Sequence, residues 1–153
     1  RAEARAIEAV NVLNVSHKGK NTILKGSNSD VIGFTKSIEP LLEPYHKKAL
    51  ILGTGGASKA IDYGLKSLGV KTVKVSRYER TDTIQYDNIT ADDCPKLPYE
   101  AMDKYNLLYD LIYNPDETVF MKKGKAQGAV VKNGLEMLLL QAFANWEFWN
   151  KED

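Results

Sequence analysis

Residues 49–60 read Ala-Leu-Ile-Leu-Gly-Thr-Gly-Gly-Ala-Ser-Lys-Ala, four apolar residues running into a glycine turn and then into small helix formers. Few folds accommodate that order. A short apolar run is a buried strand, and a strand that passes at once into a helix through a glycine turn is the opening of a dinucleotide-binding βαβ unit. Gly53 permits the tight turn, and Gly55 lets the backbone approach a pyrophosphate. Ser58 is small where a third glycine or alanine is usual, which allows close helix-to-strand packing. The stretch Gly53, Thr54, Gly55, Gly56 and Ala57 then offers free amides and a positive dipole end to an anion. The plainer alternative is the same turn with no ligand.

The next strand tip selects the nucleotide, because it lies beside the adenosine ribose. The strand 71–75 ends at Ser76-Arg77-Tyr78-Glu79-Arg80, with no acid at the tip to hold a ribose 2′-hydroxyl. A guanidinium at Arg77 suits bidentate contact with a 2′-phosphate, so NADP is expected over NAD. Two solvated arginines are the alternative. Composition narrows the partners. The chain has 153 residues, 43% hydrophobic and 27% charged, with a formal net charge of +1. That balance gives no general pull toward nucleic acid or an anionic surface, and no apolar run approaches the ~20 residues of a membrane span. A small molecule is the expected partner, with no metal site. Cys94 is the single cysteine; it excludes an intrachain disulfide framework, reads as an unreactive loop residue, and leaves a cytoplasmic location as the expectation.

Along the chain, residues 1–8 are helix-prone, and 9–15 with 22–26 form a hairpin about a polar turn. Ser27-Asn28-Ser29-Asp30 offers an N-cap for a helix running to about Leu42, limited by Pro40 and Pro44. Residues 43–48 are a linker. Residues 87–98 contain neither an amphipathic helix nor the apolar third strand that a doubly wound sheet should supply, so a segment is expected to be missing near Thr90 to Asp93. Beyond it come a helix-like stretch 99–105, a buried strand 107–113, a turn at Asn114-Pro115-Asp116, a helix 118–125 and a strand 128–131. The final helix begins near Gly134, with Leu135, Leu138, Leu139, Ala142, Phe143, Trp146 and Trp149 as its apolar stripe and both tryptophans in the core. The fold class is α/β with a Rossmann-like lobe.

Several of these pieces stand in one order: Ala9-Val10-Asn11, Gly26-Ser27-Asn28-Ser29-Asp30 with Gly33-Phe34, the glycine turn 53–57, Ser76-Arg77, Tyr109-Asp110-Leu111-Ile112-Tyr113-Asn114-Pro115, and residues 133–141, Asn-Gly-Leu-Glu-Met-Leu-Leu-Leu-Gln. Together they resemble the shikimate dehydrogenase family. The resemblance implies a substrate lobe ending near residue 29, an NADP-binding lobe over 30–133, and a helix 134–153 returning to the substrate lobe. It implies NADP-dependent reduction of 3-dehydroshikimate to shikimate. It assigns Asn11, Asp30, Tyr113 and Gln141 to substrate contacts, with Asp30 also catalytic. Leu111, Gly134 and Met137 become the nicotinamide surroundings, and Ser76 and Arg77 the adenosine phosphate site.

The residues alone leave alternatives beside each assignment. Asp30 is either a helix cap or a carboxylate orienting a reacting hydroxyl. Gln141, polar among leucines, satisfies a buried backbone group or faces a ligand. Tyr113 packs, or it binds at a strand end where α/β folds place their ligands. The pattern also has gaps. The family's proton-transferring lysine and a serine pair lie upstream of the Asn11 motif, before this chain begins. Its Asn-Thr-Thr-Pro-like strand is absent near 90–92, Glu8 replaces a usual glycine, and Lys18, Lys20 and Lys25 belong to the polar hairpin. Little turnover is expected of these 153 residues alone. A quinate/shikimate dehydrogenase and a non-catalytic nucleotide-binding module are the alternatives.

Overall fold

The computed structural model describes residues 2–76, 84–85 and 94–150. After a short helix α1 (Ala2–Ile7), strands β1 (Val12–Lys18) and β2 (Asn21–Ser27) form an antiparallel hairpin, paired from Val12 with Ser27 to Lys18 with Asn21. Gly19, at φ +62°, supplies the left-handed turn between them. Helix α2 (Asp30–Ile38) follows, and it is the post on which the rest is hung.

Phe34 of α2 is 2% exposed and joins Ile38, Ile51, Ile61, Leu65, Val70 and Met137 in one core cluster. Two glycines let other helices reach that post. A Cβ on Gly33 would lie 2.5 Å from the Met137 carbonyl oxygen, and one on Gly64 would lie 2.9 Å from Thr35 Cγ2. Both helices that flank α2 therefore approach it at backbone distance. They are α3 (Gly56–Ser67) and α5 (Leu135–Asn150).

Strand β3 (Lys48–Leu52) leads into α3, and β4 (Lys71–Ser76) returns parallel to β3, from Lys48 opposite Lys71 to Leu52 opposite Val75. A short β5 (Ile84–Gln85) adds to β4. Strand β6 (Leu107–Tyr109), helix α4 (Val119–Ala126) and strand β7 (Val130–Lys132) form a second parallel unit, with its own cluster of Tyr99, Leu108 and Ala129. The expected α/β class is observed; among the described residues the parallel strands lie in two sheets, β3-β4-β5 and β6-β7, beside the β1–β2 hairpin.

Three expectations require correction. Residues 99–105 make only a 3-10 turn at Tyr99–Ala101, because side chains then take the backbone amides: Asp103 N–H donates to Asn106 Oδ1 at 2.9 Å and Tyr105 N–H to Asp103 Oδ1 at 2.8 Å. The strand expected over 107–113 stops at Tyr109. Asp110 ends it by accepting from Ile112 N–H at 3.0 Å and from the Thr118 hydroxyl at 2.8 Å. Trp146 and Trp149 are not core residues but 65% and 56% exposed; α5 is apolar nearly all round, so its pattern does not define which side faces inward. The gap expected near Thr90 to Asp93 falls outside the described residues.

Candidate functional site

The glycine turn lies at the C-terminal end of β3. Its first residue is tied to the neighbouring strand, Gly53 N–H donating to the Val75 carbonyl at 2.9 Å. Gly53 has φ +126°, a conformation side chains rarely adopt. Gly55 has φ −73° and ψ −176°, ordinary extended backbone, and begins α3 with no side chain capping it. No acidic residue occupies the first turn of α3. Ser58 is buried, with its hydroxyl donating to the Gly55 carbonyl at 2.6 Å.

A Cβ built on Gly53, Gly55 or Gly56 would meet nothing within 4 Å. Packing therefore does not require glycine at 55 or 56, and at 55 neither does torsion. What remains is exposed backbone with free helix-terminal amides, the geometry of a phosphate cradle. An adenine dinucleotide's pyrophosphate fits there: Gly55 and Gly56 would admit its oxygens, and the amides of Gly56 and Ala57 would donate to them. Ser76 is buried at the end of β4. Arg77 and Arg80 lie outside the described residues.

A second cluster forms where the β1–β2 hairpin meets α2. Asn11 Oδ1 accepts from Ser29 N–H at 2.8 Å and lies 3.3 Å from the Ser29 hydroxyl, which turns its amide toward the Asp30 carboxyl, a bond that favours the ionised acid. Asn28 Oδ1 accepts from the backbone N–H of Asp30 at 3.1 Å and of Val31 at 3.4 Å, while its amide donates to the Ala9 carbonyl. Asn28 thus does the capping that the sequence offered to Asp30 as one of its two roles, and the Asp30 carboxyl stays out of it. The sequence offered Asn28 and Ser29 within the capping stretch 27–30 and the motif 26–30, but gave neither a role in arranging Asn11 and Asp30.

Burial pushes the Asp30 carboxyl above its ordinary value of 3.8, against the opposing pull of the Asn11 amide. The folded chain then binds this proton more tightly than the unfolded chain, so stability falls as pH rises from 3.8 through the folded value and stays reduced above it. Asp30→Asn is expected to raise the melting temperature at pH 7, with the gain disappearing on acidification below 3.8. Thermal melts of both proteins across pH check this; a lower melting temperature for the variant at pH 7 contradicts it.

The remaining candidates divide between two places. Leu111 and Gly134 meet: Gly134 N–H donates to the Ile112 carbonyl at 3.0 Å, and a Cβ on Gly134 would lie 1.9 Å from the Leu111 oxygen. Tyr113 lies half-exposed on the same segment, lining a shallow depression with Leu111, Ile112 and Asn114. Met137, one turn into α5, is buried in the core beside Phe34. Gln141 backs onto Gly33, where a Cβ would come within 3.1 Å of the Gln141 Cβ, one helical turn from Asp30. Among the described residues no cluster of His, Cys, Asp and Glu could hold a metal ion, and no helix is long and apolar enough to cross a membrane.

No family model matches the chain. Curated relatives do. The shikimate dehydrogenase (NADP(+)) of Caldanaerobacter subterraneus subsp. tengcongensis is 33% identical, over 98% of this chain and 65% of its own length. A chorismate mutase/shikimate 5-dehydrogenase fusion protein from Clostridium acetobutylicum superposes with a TM-score of 0.80 at 32% identity, over 98% of this chain and 64% of that one. The shikimate 5-dehydrogenase of Thermus thermophilus, solved with NADP(H) and shikimate, superposes at 0.77 with 26% identity, over 98% and 65%. The chain thus spans just under two thirds of the length of the relatives it matches. The Caldanaerobacter match runs over 186 positions against 153 residues here, so that relative carries at least 33 residues within the matched span that this chain lacks.

Proposed function

The chain belongs to the shikimate dehydrogenase family, and on that premise we propose that it holds NADP at the glycine turn and contributes the Asn11–Asp30 side of a site that reduces 3-dehydroshikimate to shikimate. One observation carries the reading: the Gly55–Gly56 backbone is bare where neither packing nor, at Gly55, torsion asks for glycine. NADPH, when bound, supplies a hydride. Gly53, Thr54, Gly55, Gly56 and Ala57 hold its pyrophosphate by backbone amides and the dipole of α3. Ser76, the last residue of β4, and Arg77, next in sequence, are the residues assigned to the ribose 2′-phosphate, since a guanidinium suits bidentate contact with it; that is the basis for choosing NADP over NAD.

On the substrate side, the Asn11 amide and the Asp30 carboxyl form a donor–acceptor pair suited to the hydroxyls of a polyol ring. Asp30, with its raised proton affinity, orients the hydroxyl that changes oxidation state. Gln141, across α2 at Gly33, and Tyr113 complete the polar contacts. Among the described residues no lysine acts on the Asp30 carboxyl, which answers only to burial and to the Asn11 amide, and turnover by this chain alone is expected to be negligible, since proton transfer supplies a factor of about 10²–10⁴.

Calorimetric titration tests the reading with NADP+, NAD+, shikimate and quinate, alongside an assay of NADPH oxidation with 3-dehydroshikimate. NADP+ is expected to bind more tightly than NAD+, and shikimate more tightly than quinate. Tighter quinate binding moves the substrate to the quinate/shikimate alternative. Nucleotide binding without either acid reduces the chain to a nucleotide-binding module, and enzyme-like turnover overturns the assignment of an incomplete site.

A further inference from the structure

In a doubly wound sheet a dinucleotide lies across the C-terminal strand ends. Its adenosine end rests on the half that carries the glycine turn, and its other end rests on the half that starts beyond the opposite edge of the first strand. Among the described residues no strand pairing joins the halves. Strand β3 pairs with β4 on one edge and, among the described residues, with no strand on the other, while β6 pairs only with β7.

The two sheets stay together through side chains rather than backbone. Ile51 of β3 and Leu107 and Tyr109 of β6 share the cluster around Phe34, and the Ser37 and Tyr109 hydroxyls share a hydrogen bond of 2.6 Å beneath it. At the N-terminal strand ends, Tyr45 stacks edge-on to Tyr105 and the His46 ring lies 3.1 Å from the Tyr105 carbonyl. At the C-terminal ends, where a ligand would lie, no such bridge exists among the described residues. Leu50, midway along β3, is 52% exposed, and Leu111 and Ile112, just beyond the end of β6, are 40% and 50% exposed. Apolar residues at the centre of a parallel sheet are ordinarily covered on both faces. The Caldanaerobacter relative carries at least 33 more residues inside the matched span, a length ample for a further strand and helix.

From this we infer that the chain binds NADP by its adenosine and pyrophosphate end alone, and that the nicotinamide end finds no site beside β3. The inference rests on the cofactor proposed above and gives a reason for the negligible turnover expected of this chain: a nicotinamide without a site delivers no hydride to the substrate. The cradle at Gly55 and Gly56 belongs wholly to the β3–α3–β4 unit, which is intact. The wall that would face the nicotinamide has to stand on the free edge of β3, where no described strand runs. Nicotinamide therefore adds nothing to affinity, and its redox state is not sensed.

The test titrates the full 153-residue chain with NADP+, NADPH and 2′-phospho-ADP-ribose, which lacks the nicotinamide, and records saturation-transfer NMR of bound NADP+. All three dissociation constants are expected within about twofold, with saturation reaching the adenine protons and not those of nicotinamide. Tenfold tighter binding of NADP+ or NADPH than of the truncated ligand, or equal saturation of both rings, overturns the inference and leaves the cofactor assignment standing. Absence of binding by all three overturns the cofactor assignment itself, and the inference with it.

Discussion

Gly134→Ala is expected to destabilise the fold by about 3 kcal/mol, the upper part of the range for overpacking a closed site. The added methyl would lie 1.9 Å from the Leu111 carbonyl oxygen and 2.5 Å from the carbonyl carbon. These are backbone atoms, not the movable end of a side chain, so one of two segments has to shift. Neither is free. Gly134 N–H donates to the Ile112 carbonyl, and the Gly134 carbonyl accepts the first helical bond of α5 from Leu138 N–H, each at 3.0 Å. For a domain of this size the melting temperature should fall by roughly 6–12 °C. An unchanged melting temperature would mean that the Leu111–Gly134 approach is not close in solution.

Gly55→Ala is expected to behave in the opposite way. The position has φ −73° and ψ −176°, and an added Cβ meets nothing within 4 Å, so stability should stay within about 0.5 kcal/mol of the parent. Affinity for NADP+ should nevertheless fall at least about tenfold, because the methyl occupies the path by which the pyrophosphate reaches the α3 amides. Thermal melts paired with calorimetric titration separate the two effects. An alanine variant that binds NADP+ as the parent does would remove the phosphate role from this turn.

The parts of the fold that were legible in the sequence are those fixed by local chemistry. The β3–turn–α3 unit is announced by apolar residues followed by Gly53, Gly55 and Gly56, and α4 by Thr118, whose hydroxyl accepts from Met121 N–H at 3.3 Å. The errors fall where side chains compete with the backbone. Asp103 and Asn106 undo a helix, and Asp110 cuts a strand short at Tyr109. Trp146 and Trp149 were placed inward by the periodicity of the apolar stripe, but the polar residues of α5, Glu136, Gln141, Asn145, Glu147 and Asn150, are spread around the helix and leave that stripe without a fixed phase.

In the site, Asn11 and Asp30 were named together by the family resemblance; Asp30 stands in a polar run before a helix, whereas Asn11, between Val10 and Val12, carries no local signal of its own. Their arrangement was not legible, since it depends on Asn28 accepting the α2 amides and leaving the Asp30 carboxyl to Asn11. The separation of β3 from β6 had a faint signal in residues 87–98, which offer no apolar strand. That β3 and β6 still share one core follows from their packing on Phe34, a long-range fact that no local pattern contains.

The central claim is that the amides at the start of α3 grip the phosphates of NADP. Backbone amide NMR during titration with NADP+ tests it most directly. The largest shifts are expected on Gly55, Gly56 and Ala57, with the β1–β2 hairpin unmoved; saturable binding that leaves those three amides in place would rule out the grip at α3.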